Sequence, residues 1–505
     1  MKALIIGADA AVPDIIFRNI GEFPTLGRMI AQGASGAYSA YVQRGYKGSY
    51  SSEQNWASIY TGLSPGSHRI TTRMAGTAGA GGKTGADTEV GAEAKAEGGP
   101  SDEGRRPQMA DYDGLQPLWR VLNDCGLSVG LWAADNCANP VEIDGYAVYF
   151  KYGMIETPAE IRTAPRELQL CGKDRFLIEC LPGPAPPRLY PRTLAQQGYS
   201  YSQLLRDPAL AEKAVSEYCF QDSLQNFDEE LKYFFGGMRG AQRRHPVDVM
   251  HFYTVTTDLI AHCCMCCDDS PVLIGAYRLL DRYIGEFVAE FQPEITVFLS
   301  DHGMQNFCEL VKCSDPAVRR EAFAAADEVL WLKNGYIAFE AHNGALLFTA
   351  HSLKGVFIAC GSGIRHAEAA GMRTLDIYPT LLEALGAPIP RGREGFVADI
   401  FGRPLVNGDK LLAVAGASPR PRKKIALVQS HAMSAMDIFI NELYIEQRFS
   451  DITVAGEAKY EEIFRNNPRV FGFVDIERFD GADFDEVYCG FFNETTKAMR
   501  HVRVK

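Results

Sequence analysis

Short, mostly apolar runs recur along the first 360 positions, at 2–6, 128–133, 247–254, 295–300 and 356–360. Each has the length of a strand and no polar face, as expected of a strand covered on both sides. Between them lie stretches with helical spacing of apolar positions, at 23–33, 52–62, 115–125, 209–236, 276–291 and 376–386. Capping signals bound several of these: Pro24 opens the first and Gly33 stops it, while Asp376 is the expected N-cap and Gly386 the stop of the last. One or two further strands are expected at 35–43. Strands alternating with helices predict an α/β fold, with a mostly parallel central sheet and helices on both faces. Ligands of such sheets bind beyond the carboxyl ends of the strands.

The rest of the chain is less regular. Residues 74–109 are rich in Gly, Ala, Glu and Lys and read as a mobile surface insertion, because they offer too little apolar surface to offset their ordering entropy. Residues 136–191 are proline-rich and are expected to be irregular and to cap a site. Pro- and Arg-rich residues 416–423 read as a linker, which divides a domain at 1–415 from a small C-terminal α/β domain of open role at 424–505. Within the latter, strands are expected at 425–428, 470–474 and 487–491 and a helix at 433–447. Ser430 and His431 follow its first strand, as ordinary loop residues do.

Composition narrows the function. The chain has 505 residues, 46% of them hydrophobic and 23% charged, which is ordinary for a globular protein of more than one domain. A net charge of −12 argues against a general nucleic-acid binder. No apolar run reaches the ~18 residues that a membrane span needs. The apolar stretch at the N-terminus is too short for a signal peptide and reads as a strand. The 13 cysteines are scattered, so they are expected to be reduced thiols of a cytoplasmic protein. The one dense group is Cys263, Cys264, Cys266 and Cys267, too closely spaced on one helix to converge on a single ion. It reads as packing.

The chemistry-bearing residues gather near the predicted strand ends. Asp9 follows the first strand, Asp258 and His262 the third, and Asp301 and His302 the fourth, while His351 just precedes the fifth. Asp258 and His262 are four apart and share one face if that segment is helical. Three carboxylates and three imidazoles form the ligand set of two borderline divalent cations, Zn²⁺ before Mn²⁺. Ser52 opens a predicted helix, where free N–H groups and the helix dipole favour an anion. On its own it reads as an N-cap, and a serine hydroxyl is a poor nucleophile without help.

These stretches, in this order, resemble the alkaline phosphatase superfamily, and within it the type I phosphodiesterase/nucleotide pyrophosphatase family. The matching segments are 5–9, 52–62, 64–68, 258–262, 300–303, 351–355 and 376–386, so the resemblance covers roughly residues 1–400. It implies an alkaline phosphatase-like fold and a phosphoseryl intermediate on Ser52, where many members have threonine. It also implies one metal held by Asp9, Asp301, His302 and the Ser52 oxygen, and another held by Asp258, His262 and His351. Asn55 falls where the nucleotide pyrophosphatase branch has a donor to a phosphoryl oxygen. The expected substrate is a small phosphate ester, cleaved as a phosphodiester or nucleotide pyrophosphate. A phosphomonoesterase, phosphonate hydrolase or phosphomutase shares the same cage, and a non-catalytic module for a phosphorylated ligand is the reading from another class. Sulfatases are disfavoured because the Cys/Ser-x-Pro-x-Arg signature is missing around Ser52. Leaving group and oligomeric state are not legible.

Overall fold

The computed structural model describes residues 1–40, 52–68, 114–132, 143–151, 167–172, 198–207, 209–211, 213–214, 221–265, 270–306, 315, 317–318, 329–331, 337–340, 346–347, 349–352, 354–369, 371–408, 424–428, 451–465, 470–489 and 500–502. The predicted insertion at 74–109, the linker at 416–423 and the helix at 433–447 lie outside them.

The main sheet is built from β1 (Ala3–Ala8), β2 (Ala34–Ser39), β3 (Val129–Trp132), β4 (Gly145–Lys151), β5 (Glu167–Gly172), β6 (Val249–Thr254) and β7 (Ile295–Leu299). A short pair, β8 (Gly303–Asn306) with β12 (Thr349–Ser352), stands beside it, and β9 (Val329–Trp331), β10 (Ile337–Glu340) and β11 (Leu346–Leu347) form a separate small sheet. β13 (Lys354–Gly361) and β14 (Ala367–Glu368) return to the main sheet, whose nine strands run in the order β14-β2-β13-β7-β1-β6-β3-β4-β5. Only β13 and β5 run against their neighbours, so the sheet is mostly parallel.

Alternate residues of the central strands serve opposite faces. Leu4 and Ile6 of β1 and Met250 and Phe252 of β6 pack under one helical layer. That layer contains α1 (Pro13–Arg18), α2 (Pro24–Gln32), α7 (Gln221–Arg244), α8 (Thr256–Cys264) and α9 (Pro271–Phe291). Ala3 and Ile5 of β1, with Val297 and Leu299 of β7, pack under the other. Its helices are α3 (Ser52–Thr61), α5 (Leu118–Asp124) and α10 (Thr374–Ala384), with α4 (Pro65–His68) following α3. Each fully buried aliphatic or aromatic side chain contributes about 1.5–3 kcal/mol, which is why both layers hold the sheet. α6 (Tyr201–Arg206) and α11 (Glu461–Arg465) are short.

Several expectations are corrected. Residues 136–191 are not wholly irregular, because β4 and β5 add two strands to the main sheet from within that stretch. Tyr146, Ala147 and Val148 of β4 are all buried, and the proline-rich flanks hide this short apolar run. The long helix runs on to Arg244, past the expected end at 236, and residues 209–211 and 213–214 ahead of it are helical as well. α9 starts at Pro271, capped by the Ser270 side chain, rather than at 276. Arg373 takes the N-cap position of α10, and Asp376 sits in its first turn, accepting from the Arg373 backbone N–H at 2.9 Å.

The C-terminal unit is a five-stranded sheet, β15 (Lys424–Val428), β16 (Asp451–Gly456), β17 (Val470–Asp475), β18 (Glu486–Cys489) and β19 (Arg500–Val502), in the order β17-β16-β15-β18-β19. Four of its strands are parallel and β19 is antiparallel. β16 is additional to the strands expected from the sequence. No helix among the described residues is long and apolar enough to cross a membrane.

Candidate active site

β1, β6 and β7 lie side by side with their ends flush, Ala8 beside Thr254 and Gly7 beside Leu299. Asp9 follows β1 directly, Asp301 comes two residues after β7, and Asp258 lies in the first turn of α8 just past β6. β13 is antiparallel to β7, so its beginning lies at this same rim. There β12, paired to β8 with His351 opposite Met304, delivers His351. The layer on one face contributes α8 with Asp258 and His262, and the layer on the other contributes α3 with Ser52. The two layers meet over the rim.

Ser52 is the first residue of α3. Its Oγ lies 3.1 Å from Asp9 Oδ1 and 3.1 Å from His302 Nε2. His302 Nδ1 lies 3.0 Å from the Gly303 carbonyl oxygen, so Nδ1 carries the proton and Nε2 offers a lone pair. His302 Nε2 is also 3.2 Å from Asp301 Oδ2, and Asp301 Oδ1 accepts from the Ala10 N–H at 3.2 Å. On the other side, His262 Nε2 and His351 Nε2 are 2.9 Å apart, and Asp258 Oδ1 lies 3.5 Å from the first and 3.4 Å from the second. The His302 ring joins the two sides by stacking on His351, with centroids 3.9 Å apart. Thus Asp9, Ser52, Asp301, His302, Asp258, His262 and His351 form one contiguous cluster. Asn55 lies one turn beyond Ser52, 1% exposed, and its Oδ1 has no hydrogen-bond partner.

Two sets of donor atoms lie within 4.8 Å of one another: Asp9, Asp301 and His302, and Asp258, His302 and His351. The donor chemistry fits divalent cations. Asp301 Oδ2 and Asp258 Oδ1 are buried without a hydrogen-bond partner, one in each set. A buried carboxylate oxygen left so is costly, and a cation would satisfy it. The electrostatics agree. Burial, followed by repulsion from Asp258, pushes the Asp9 carboxyl up to about 7. Burial and the Asp9 charge push Asp301 well above the carboxylate range. For Asp258 burial acts upward too, but His262 and His351 outweigh it and hold the group below its usual value. Burial, with His351 beside it, depresses His302 well below the imidazole range. This is the imbalance that bound positive charge relieves.

Sequence reasoning missed the residues that hold Asp9. Tyr253 OH donates to Asp9 Oδ2 at 2.5 Å and Trp56 Nε1 donates to the same oxygen at 3.2 Å. Thr257 Oγ1 donates to the Asp9 carbonyl at 2.6 Å. The available signal for Trp56 was its position four residues after Ser52, on the same helix face. Tyr253 gave none beyond lying next to a strand end. Cys263 and Cys264 are buried in the core next to His262, in keeping with packing.

Fold and site together fit the class of phosphoesterases that work with divalent cations. The chain belongs to the type I phosphodiesterase / nucleotide pyrophosphatase family, whose model matches residues 3–349. No curated protein matches the chain. Among solved structures it is similar to wild-type alkaline phosphatase PafA, at 13% identity and a TM-score of 0.45, over 79% of this chain and 98% of that one. It is also similar to murine ectonucleotide pyrophosphatase / phosphodiesterase 5, an inactive variant in complex with AMP, at 12% identity and a TM-score of 0.41, over 77% and 96% of the two chains. The human form of that protein gives 12% identity and a TM-score of 0.41, over 78% and 97%.

Proposed function

We propose that this protein is a two-metal phosphohydrolase that cleaves a phosphodiester or nucleotide pyrophosphate bond of a small substrate through a phosphoseryl intermediate on Ser52. The observation that carries the reading is the Ser52 oxygen, 3.1 Å from both Asp9 Oδ1 and His302 Nε2 at the start of α3. Asp9, Asp301, His302 and Ser52 would hold one cation, and Asp258, His262 and His351 the other. Zn²⁺ suits this oxygen and nitrogen set, with Mn²⁺ second. When bound, the cations lower the pKa of the serine hydroxyl and offset charge on the phosphoryl oxygens.

The chain's own residues do the rest. The α3 N-terminus aims free backbone N–H groups at an anion beside Ser52. Ser52 Oγ attacks phosphorus in line as the leaving oxygen departs, forming the Oγ–P bond. Water then attacks phosphorus from the opposite side, the Oγ–P bond breaks, and the hydroxyl is restored. Asn55, one turn along, is the proposed amide donor to a phosphoryl oxygen. The unit at 1–415 carries all of these groups, and the unit at 424–505 none.

The test is a panel of aryl phosphodiesters, nucleotide pyrophosphates and phosphomonoesters assayed with Zn²⁺ and Mn²⁺, for wild type and Ser52→Ala. Turnover of a diester or pyrophosphate by wild type, and a loss of about 10⁴-fold or more in Ser52→Ala with metal still bound, is expected. Wild-type rates in Ser52→Ala would remove the nucleophile assignment. Preference for the monoester would move the protein to another branch of the superfamily.

A further inference from the structure

Asp9 is gripped at both carboxylate oxygens, but by different kinds of partner. Oδ1 accepts from Ser52 Oγ at 3.1 Å and faces His302 Nε2 at 3.7 Å. Oδ2 faces away from this cage and accepts two hydrogen bonds, from Tyr253 OH at 2.5 Å and Trp56 Nε1 at 3.2 Å. Asp9 is wholly buried, Tyr253 is 1% exposed and Trp56 0%, so that oxygen is shielded from bulk solvent. The two donors also brace each other, with the Trp56 and Tyr253 rings edge to face at 5.1 Å between centroids. Ser52 and Trp56 belong to one helix, so α3 holds both oxygens of the same carboxylate.

The backbone makes room for this. A Cβ on Gly7 would come within 2.6 Å of Trp56 Cη2, so the indole reaches Asp9 only because residue 7 of β1 has no side chain. Thr257 fixes the Asp9 main chain in turn, through its carbonyl.

We infer that Tyr253 and Trp56 are positioning residues that occupy Asp9 Oδ2 and so confine this carboxylate to binding a cation through Oδ1 alone, beside the Ser52 oxygen. The inference rests on the reading above that Asp9 is a metal ligand. A carboxylate free at both oxygens can close on a cation with both and take up a coordination position. Blocking one oxygen keeps that position for the serine oxygen or the substrate. Donors that orient a ligand from behind typically govern metal affinity by about 10–100-fold.

The test uses the full chain, stripped of metal and reloaded with Co²⁺, whose visible d–d absorption reports coordination number. Tyr253→Phe, Trp56→Phe and the double variant are compared with wild type, and affinity is read by competition with a chelator. Tyr60→Phe is the packing control, because the Tyr60 ring stacks on Trp56 at 5.5 Å and its hydroxyl faces His251 Nε2 at 3.4 Å. The expected result is weaker, higher-coordinate cobalt in the double variant, an affinity loss of about 10–100-fold, intermediate single variants and an unchanged Tyr60→Phe spectrum. A wild-type spectrum and affinity in Tyr253→Phe and in the double variant would overturn the inference. Should the double variant fail to fold, Tyr253→Phe decides, since it deletes one oxygen. Failure of folded wild type to bind cobalt overturns both this inference and the phosphohydrolase reading. Cobalt binding with the expected spectral change, but without hydrolysis of any ester by wild type, overturns that reading alone.

Discussion

The Nε2 atoms of His262 and His351 stand 2.9 Å apart although 89 residues separate them in the chain. Burial disfavours a charge on His262, and the neighbouring Asp258 only partly offsets that. With Asp258 3.4 Å from His351, three donor atoms from α8 and β12 point at one small volume.

Asp258→Asn removes one charge and one donor from that volume. Metal content by elemental analysis is expected to fall by about one ion per chain, and kcat/KM by about a hundredfold or more, since a catalytic cation supplies several kcal/mol. Unchanged metal content would separate Asp258 from metal binding.

His251 is buried on β6, where its Nδ1 has no hydrogen-bond partner and burial pushes its pKa down to about 4. The unfolded chain binds that proton below about 6.5, so there it holds more protons than the folded chain. Stability from this group is therefore full above about pH 6.5 and is lost as pH falls toward 4, by about 3 kcal/mol in all. His251→Gln should flatten the dependence of the thermal midpoint on pH in this window. An equally steep dependence in the variant would show that His251 does not drive it.

Gly62 ends α3 with φ +65°, and a Cβ there would lie 2.7 Å from Tyr378 Cδ1 on α10. Gly62→Ala combines left-handed strain of about 1–2 kcal/mol with overpacking of about 1–3 kcal/mol. A thermal midpoint several degrees lower is expected, together with reduced turnover, because α3 carries Ser52.

Asp376 is wholly buried and accepts from the backbone N–H groups of Arg373 and Phe396, each at 2.9 Å. Asp376→Ala leaves both donors unpaired, at a cost of about 1–3 kcal/mol each. Denaturant unfolding should show the loss, whereas Asp376→Asn, which keeps an acceptor, should recover part of it.

Legibility in the sequence followed burial. β1, β6 and β7 are covered on both faces, so their residues form mostly apolar runs and the acidic residues just after them stand out. β4 and β5 lie toward one edge of the sheet within a proline-rich stretch, and the short apolar run of β4 is lost among the turn residues. β16, Asp451–Gly456, mixes Asp, Thr and Gly with three apolar residues and gives too weak a run. Trp56 and Tyr253 are illegible for another reason. A large aromatic residue in a helix or strand is ordinarily core, and only three-dimensional placement shows the indole N–H and the phenol oxygen directed at Asp9. Ser52 stands out because a hydroxyl opens a predicted helix, but its nearness to His302 depends on contacts 250 residues apart.

The reversal of β13 has a last consequence. In a wholly parallel arrangement every group at this edge would come downstream of the strand that carries it. One strand threaded the other way brings in an upstream neighbour, His351, and a search confined to residues C-terminal to each strand would pass it by.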